Sequence, residues 1–309
     1  LIAFLGAVET GLIFGLVALG VYLSFRILDF PDLTVDGSFP LGGAVAATAI
    51  VGGLDPFLAT VLAMAGGAAA GAVTALLNTR LKILHLLASI LTMIALYSIN
   101  LRIMGRPNVA LLMEPTVFSM VEGPGMPPRA WMIPAALLVV VVVCLVVFNL
   151  FMASRAGLAM RATGANPRMA GAQGVATGGV IVLGMAMSNA LVALAGALFA
   201  QSQGGADVTM GVGVIIIGLA SVIGGEAVMP TRTVILASIA CVVGAILYRL
   251  AVALALNADF IGLQAQDLNL ITAVLVGLAL VLPNSKGVLG RWRRRRIQGT
   301  GTQGAGERP

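Results

Sequence analysis

Apolar residues in this chain run in long blocks separated by short polar connections. The block from Ala130 to Phe148 holds nineteen residues with no charge and no Ser, Thr, Asn or Gln. As a helix, that is enough to cross a hydrocarbon core of roughly 30 Å. Reading every such block predicts nine helical spans, at about 3–25, 38–54, 56–77, 83–103, 131–151, 176–200, 213–229, 233–256 and 268–283. The windows 38–54 and 213–229 are short and glycine-rich, so they are expected to be broken or re-entrant. The pattern predicts an all-α polytopic membrane protein with about nine transmembrane spans.

An odd number of spans puts the termini on opposite sides, and the basic residues orient them. With the C-terminus inside, Arg26, Arg80, Lys82, Arg155, Arg161, Arg168, Arg232 and every basic residue from Lys286 onward face the cytoplasm. Arg102, Arg106, Arg129 and Arg249 are left outside. The excess obeys the positive-inside rule and predicts N-out, C-in.

Small residues at four-residue spacing, in Gly11-x-x-x-Gly15, Gly67-x-x-x-Gly71 and Gly174-x-x-x-Gly178, permit close helix approach in lipid. An internal echo is more informative. At an offset of 175, Leu16-Val17-Ala18-Leu19 matches Leu191-Val192-Ala193-Leu194, Asp32 matches Asp207 and Thr34 matches Thr209. The first span runs inward and the sixth outward, so the copies form an inverted repeat of the kind that builds many transporters.

Composition closes off other classes. The chain is 59% hydrophobic and 10% charged, with mean hydropathy +1.05, against about 25% charged in soluble domains. A water-soluble globular protein is excluded, and no separate soluble domain fits. The expected organisation is a transmembrane domain at 1–283, with a cytoplasmic loop at 152–175, and a basic tail at 284–309. Arg291-Trp292-Arg293-Arg294-Arg295-Arg296 suits anionic headgroups, and the residues after it are too polar to fold. This flank accounts for much of the net charge of +6, so nucleic acid is not an expected partner. Cys144, Cys241 and the lone His85 provide no metal cluster. The numbering starts at Leu1 rather than Met, so its start is expected to lie inside the encoded protein. No P-loop, nucleophile elbow or H-E-x-x-H occurs. No enzyme or cofactor is expected in this chain, and any ATP and Mg would be bound by a partner ATPase.

Polar residues near helix breaks are the candidates for a pathway or gate: Asp32, Thr34, Asp36 and Ser38 around Pro31 and Gly37, then Asn100, Asn189, Asp207 and Thr209. In the inverted arrangement Asp32-x-Thr34 falls near the cytoplasmic end and Asp207-x-Thr209 near the outer end, each capping a helix start. The alternative is loop carboxylates at a membrane edge and asparagines that bond neighbouring helices. Arg102, Arg106 and Arg129 bracket the connection holding Glu114 and Glu122, and would dock an acidic surface on a partner; the alternative is that they anchor loop structure or meet lipid phosphates.

The most distinctive segment is Ser154 to Val175, SRAGLAMRATGANPRMAGAQGV. Asn166 followed by Pro167 signals a helix start and Gly174 a stop, predicting a polar helix of about two turns. The simplest alternative is a charged loop that only sets topology. The motif Arg161-Ala162-x-Gly164-x-Asn166-Pro167-x-x-Ala170-x-x-x-Gly174 closely resembles the cytoplasmic coupling loop of permease subunits in ABC importers of the branched-chain amino-acid and ribose type. Residues 32–38, 97–105 and the glycines from Gly211 to Gly225 resemble a subgroup labelled tryptophan/tyrosine transport permeases.

The resemblance implies a type II ABC importer permease in a bacterial inner membrane. A dimer of such permeases would work with two cytoplasmic ATPase subunits and an extracytoplasmic solute-binding protein, and move an amino-acid-like or other small organic solute. It assigns ATPase coupling to Gly157, Arg161, Gly164, Asn166, Pro167, Arg168, Ala170 and Gly174. A sugar-type ABC permease, an ion-coupled secondary transporter and a structural membrane subunit are the rivals. A docking helix is a feature that ion coupling does not need.

Overall fold

A computed structural model describes residues 2–119 and 129–256, together with Gly277. Helix α1 (Ile2–Val21) continues as a π-helical turn (Tyr22–Ile27). It is followed by α2 (Val35–Val51), α3 (Pro56–Thr79), α4 (His85–Met104), strand β1 (Asn108–Ala110), α5 (Arg129–Ala153), α6 (Arg155–Ala165), α7 (Pro167–Ala172), α8 (Thr177–Gln203), β2 (Gly205–Asp207), α9 (Val214–Val228) and α10 (Val234–Leu256). Each of the first eight predicted windows coincides with a helix. The ninth, 268–283, and the tail 284–309 lie outside the described residues.

Six described helices are long and apolar enough to cross a membrane: Phe4–Ile27, Pro56–Thr79, His85–Met104, Trp131–Ala153, Thr177–Gln203 and Val234–Ala255. Helices α2, with 17 residues, and α9, with 15, reach only about 22–25 Å at 1.5 Å per residue.

The helix ends follow from local chemistry. Asp55 caps α3 by accepting from the amides of Phe57 (2.9 Å) and Leu58 (3.3 Å), with Pro56 in the first helical position. Helices α4 and α8 stop on Gly105 and Gly204, at φ +65° and +77°, the left-handed conformation that glycine adopts without strain. The all-α expectation needs one addition. Strands β1 and β2 form an antiparallel ribbon with Asn108 opposite Asp207 and Ala110 opposite Gly205, tying the ends of α4 and α8 together.

Helix α8 is the axis of the fold, about 40 Å long at 27 residues. It packs against α1, α2 and α3, and α1 and α9 in turn pack against α10. Close approach fixes these contacts. On α3, a methyl at Gly67 would collide with Asn189 and Ala193 of α8, and one at Gly71 with Met185. Gly11 and Gly15 of α1 lie on Ile246 and Val242 of α10. The third predicted motif does no such packing: Gly174 sits at φ +85° in open space, where it ends α7. Helix α5 turns Val139, Val143 and Val147 outward, each more than half exposed, as a lipid-facing surface requires.

Candidate functional site

Residues 28–34, with Pro31 among them, interrupt regular helix between the π-helical turn and α2, whereas Gly37, expected to break the helix, lies within α2; the polar groups of the interrupted segment need partners from elsewhere in the protein. They find them near the midpoint of α8. Asn189 donates from Nδ2 to Asp32 Oδ2 (2.8 Å) and to the Met185 carbonyl (3.1 Å), and its Oδ1 accepts from Ser38 Oγ (2.7 Å). Asp32 Oδ1 accepts from the Thr34 amide (2.9 Å), while the Thr34 and Thr74 hydroxyls are 2.8 Å apart. Asp32, Thr34, Ser38, Thr74 and Asn189 are all fully buried. Four of them were candidates by sequence. Thr74 was not, although it is the first hydroxyl after the small-residue run from Ala65 to Val73. Asp32-x-Thr34 therefore lies against the middle of α8, because the chain folds back into the bundle after Ile27.

Asp36 joins the two short helices. Its carboxylate accepts from the amides of Gly213 (3.2 Å) and Ile215 (2.8 Å), so a residue in the first turn of α2 caps the start of α9. Capping belongs to Asp36 rather than to the Asp-x-Thr pairs, because Asp32 and Asp207 each spend Oδ1 on the amide two residues on. Gly211 lies against the Asp36 carbonyl and Pro40, with no room for a side chain.

Beside this junction a cavity of about 510 Å³ opens between the start of α2, α4 and residues 208–212. It is lined by Asp36, Gly37, Pro40, Met93, Ile94, Tyr97, Ser98, Asn100, Val208, Thr209 and Val212. Asn100 is fully buried and donates from Nδ2 to the Gly37 carbonyl (3.2 Å), and its Oδ1 has no partner among the described residues.

Asp207 and Thr209 stand apart from the buried network. Asp207 Oδ1 accepts from the Thr209 hydroxyl (2.5 Å) and amide (2.7 Å). The Thr209 hydroxyl first, then its amide, holds the Asp207 carboxyl below the usual carboxylate range. Asn108 Nδ2 is 3.4 Å from Asp207 Oδ2 across the ribbon. At the same end, Arg102 in the last turn of α4 and Arg106 just beyond Gly105 are exposed, and Arg129 opens α5. Of the intervening acids, Glu114 is half-buried and Glu122 lies outside the described residues. Arg249 lies within α10 with its guanidinium 4.0 Å over the Phe14 ring.

The segment 154–175 is two helices rather than a loop with one. Ser154 caps α6 through the Gly157 amide (3.3 Å), and Asn166 caps α7 through the Met169 amide (3.0 Å), with Pro167 first in α7. Two glycines of this segment are close-packing positions: Gly164 lies on the Ile27 carbonyl and Gly157 on Phe151 and Met152. Ala170 is buried, whereas Arg161, Arg168 and Met169 are exposed.

Sequence reasoning missed the ion pair that closes this end. Arg26 donates from Nε to Glu226 Oε1 (2.9 Å) and from Nη2 to Glu226 Oε2. The pair fixes the end of α1 to the end of α9, and 200 residues of separation leave no signal in the sequence. Arg26, Asp29, Arg161 and Arg232 line a second cavity of about 460 Å³ there. Among the described residues no three His, Cys, Asp or Glu side chains gather as a metal site would require.

A family model described as "Branched-chain amino acid transport system / permease component" matches residues 4–283. A Clostridioides difficile (strain R20291) protein named "Tyrosine transport system permease protein" is 37% identical over 265 residues, 86% of each chain. An uncharacterised protein of Rickettsia prowazekii (strain Madrid E) is 34% identical over 282 residues, 89% of this chain and 95% of its own. No solved structure matches.

Proposed function

This chain belongs to the family of permease components of branched-chain amino acid transport systems, and we propose that it forms the translocation pathway of an ATP-driven importer for an amino-acid-like solute. The observation that carries the reading is the family match over residues 4–283, together with 37% identity to a protein named as a tyrosine permease. Tyrosine and related aromatic amino acids are accordingly the first solutes to test.

In this reading the face bearing α6 and α7 is cytoplasmic, and the N-terminus is outside. Cytoplasmic ATPase subunits bind ATP and Mg and dock on the exposed Arg161, Arg168 and Met169. A solute-binding protein docks at the opposite end, at Arg102, Arg106 and Arg129. A second copy of the chain completes a homodimer in a bacterial inner membrane, and a ninth span at 268–283 returns the C-terminus to the cytoplasm.

The inverted repeat is part of the same proposal. Helices α1 and α8 run in opposite directions, each is followed by an Asp-x-Thr turn with the same Asp-to-amide bond, and each turn precedes a short helix. Asp36 and Gly211, which are 175 residues apart, meet at the junction, as residues near a pseudo-two-fold axis do. The junction of α2 and α9 then acts as the hinge that opens the pathway to either side.

The test is purification of the tagged chain from native membranes without crosslinking. The expected result is a stable complex holding two copies of the chain and a P-loop ATPase, weakened by Arg168→Glu. A chain that purifies without any ATPase contradicts the proposal.

A further inference from the structure

The cavity at the end where α1 finishes and α10 begins is lined by three guanidinium groups from distant parts of the chain. Arg26 comes from the π-helical turn, Arg161 from α6 and Arg232 from the connection between α9 and α10. Arg26 is spent on Glu226. Arg161 and Arg232 have no ion pair or hydrogen-bonding partner for their side chains among the described residues. Against the carboxylates of Asp29, which lines the same cavity, and Glu226, the three arginines leave one positive charge uncompensated. Neutral donors add to it. Tyr22 and Thr231 bring hydroxyls to the lining. Thr233 Oγ1 accepts from the Leu236 amide (3.3 Å), whereas the amides of Val234 and Ile235, first in α10, have no acceptor among the described residues. Thr233 and Val234 both line the cavity, so the positive end of α10 opens onto it.

Location narrows the ligand. Ile27 closes one apolar span and Val234 opens another, so the cavity lies where the bundle leaves the hydrocarbon, whichever way the chain is oriented. Val228 and Ile235, which flank the lining residues 231–234 in sequence, are more than half exposed, an apolar surface for acyl chains. Basic pockets between membrane helices suit lipid headgroups. We propose that this cavity binds the phosphodiester of an anionic phospholipid, held by Arg161, Arg232 and the first amides of α10. A singly charged phosphodiester matches the one uncompensated positive charge, whereas a phosphate monoester, with roughly 1.5–2 negative charges, would exceed it. At about 460 Å³ the space lies within the range of roughly 300–1,000 Å³ typical of small-molecule sites. The bound lipid joins α6 to the α9–α10 connection, beside the Arg26–Glu226 pair. The assignment stands independently of the solute and of the transport reading.

The test is native mass spectrometry of the full chain, purified in a neutral detergent and titrated with phosphatidylglycerol or phosphatidylcholine of the same acyl chains. The first phosphatidylglycerol should bind about tenfold more tightly than the first phosphatidylcholine, as expected for two arginines near an anionic headgroup. Arg232→Gln should weaken that first phosphatidylglycerol by about fivefold or more and leave phosphatidylcholine unchanged. Arg80→Gln removes the same charge from an exposed position just past α3, outside the cavity, and should leave both lipids unchanged. Both variants are at exposed positions and should fold. Arg161 also borders the exposed surface of α6, so Arg232 is the position that tests the cavity alone. Millimolar inorganic phosphate should not displace the lipid. Equal affinity for the two lipids overturns the proposal, as does equal loss in Arg232→Gln and Arg80→Gln. Displacement by inorganic phosphate overturns the lipid as the source of the phosphate. Arg232→Gln that binds lipid as the wild type does, yet loses the ATPase, assigns the cavity to the ATPase and overturns the proposal as well.

Discussion

Replacing Asp32 separates the contribution of a buried charge from that of the hydrogen bonds around it. The wild-type carboxylate accepts from the Thr34 amide at 2.9 Å and from Asn189 Nδ2 at 2.8 Å, in a fully buried site. Asp32→Leu leaves both donors without a partner. Each orphaned buried donor costs about 1–3 kcal/mol, so the loss is roughly 2–6 kcal/mol. Asp32→Asn keeps the acceptor for the Thr34 amide. Its new NH₂ group faces Asn189, which can rotate its amide to accept and turn Nδ2 toward Ser38 Oγ, a hydroxyl able to accept in turn. That rearrangement costs about one ordinary hydrogen bond, roughly 1 kcal/mol. Both variants relieve the desolvation of the carboxylate equally, so the ranking depends on the donors alone. With shifts on the order of 2–4 °C per kcal/mol, Asn should lower the midpoint of thermal inactivation by a few degrees and Leu by on the order of 10 °C. The assay is monodispersity of the nanodisc-embedded protein after heating, with uptake measured at equal expression. The double variant Asp32→Asn, Asn189→Asp restores a donor–acceptor match and should recover most of the Asn loss. Equal midpoints for Asn and Leu would refute the reasoning.

Further perturbations give distinct outcomes. Gly164→Leu drives a side chain into the Ile27 carbonyl and should lose folded protein altogether, whereas Arg168→Glu at an exposed position should keep it and lose ATPase association, as size-exclusion profiles with and without the ATPase will report. The Arg26–Glu226 pair has side chains 57% and 18% exposed, so solvent screening limits its worth to about 1 kcal/mol or less; Arg26→Glu should slow uptake more than it destabilises, and adding Glu226→Arg should restore the rate. The lowered Asp207 carboxyl contributes stability that is present above its unfolded value, near 3.9, and lost as pH falls through the folded value. Amide exchange at residues 205–209 should accordingly rise only in strong acid, and Thr209→Val, which removes the principal donor, should move that rise to higher pH.

Much of the fold was legible because lipid imposes a length and a composition on every crossing. The windows 38–54 and 213–229 were expected to be broken or re-entrant, but each forms one continuous short helix, α2 and α9, placed so that Asp36 reaches across to the Gly213 and Ile215 amides. Asn166-Pro167 announced α7 because capping chemistry is local. What escaped depended on partners far along the chain. The strands at 108–110 and 205–207 are three residues each and pair across 97 positions, too short for an alternating pattern. Helix α6 escaped notice, and the close packing of its Gly157 and Gly164 depends on backbone that the sequence does not place beside them. The contact of Asp32 with the middle of α8 was not legible because Pro31 marks a break without saying which way the chain turns. Asn100 was a candidate by residue type, and its bond to the Gly37 carbonyl emerged only once α4 was seen to pack on α2.

The most direct test of the account is uptake by proteoliposomes containing this chain with its ATPase, supplied with the solute-binding protein outside and ATP and Mg in the compartment facing α6 and α7. The account predicts accumulation of L-tyrosine or a related aromatic amino acid against its gradient, dependent on hydrolysable ATP and on the binding protein, and indifferent to collapse of ion gradients. Accumulation that persists without ATP and vanishes when ion gradients are collapsed would contradict it.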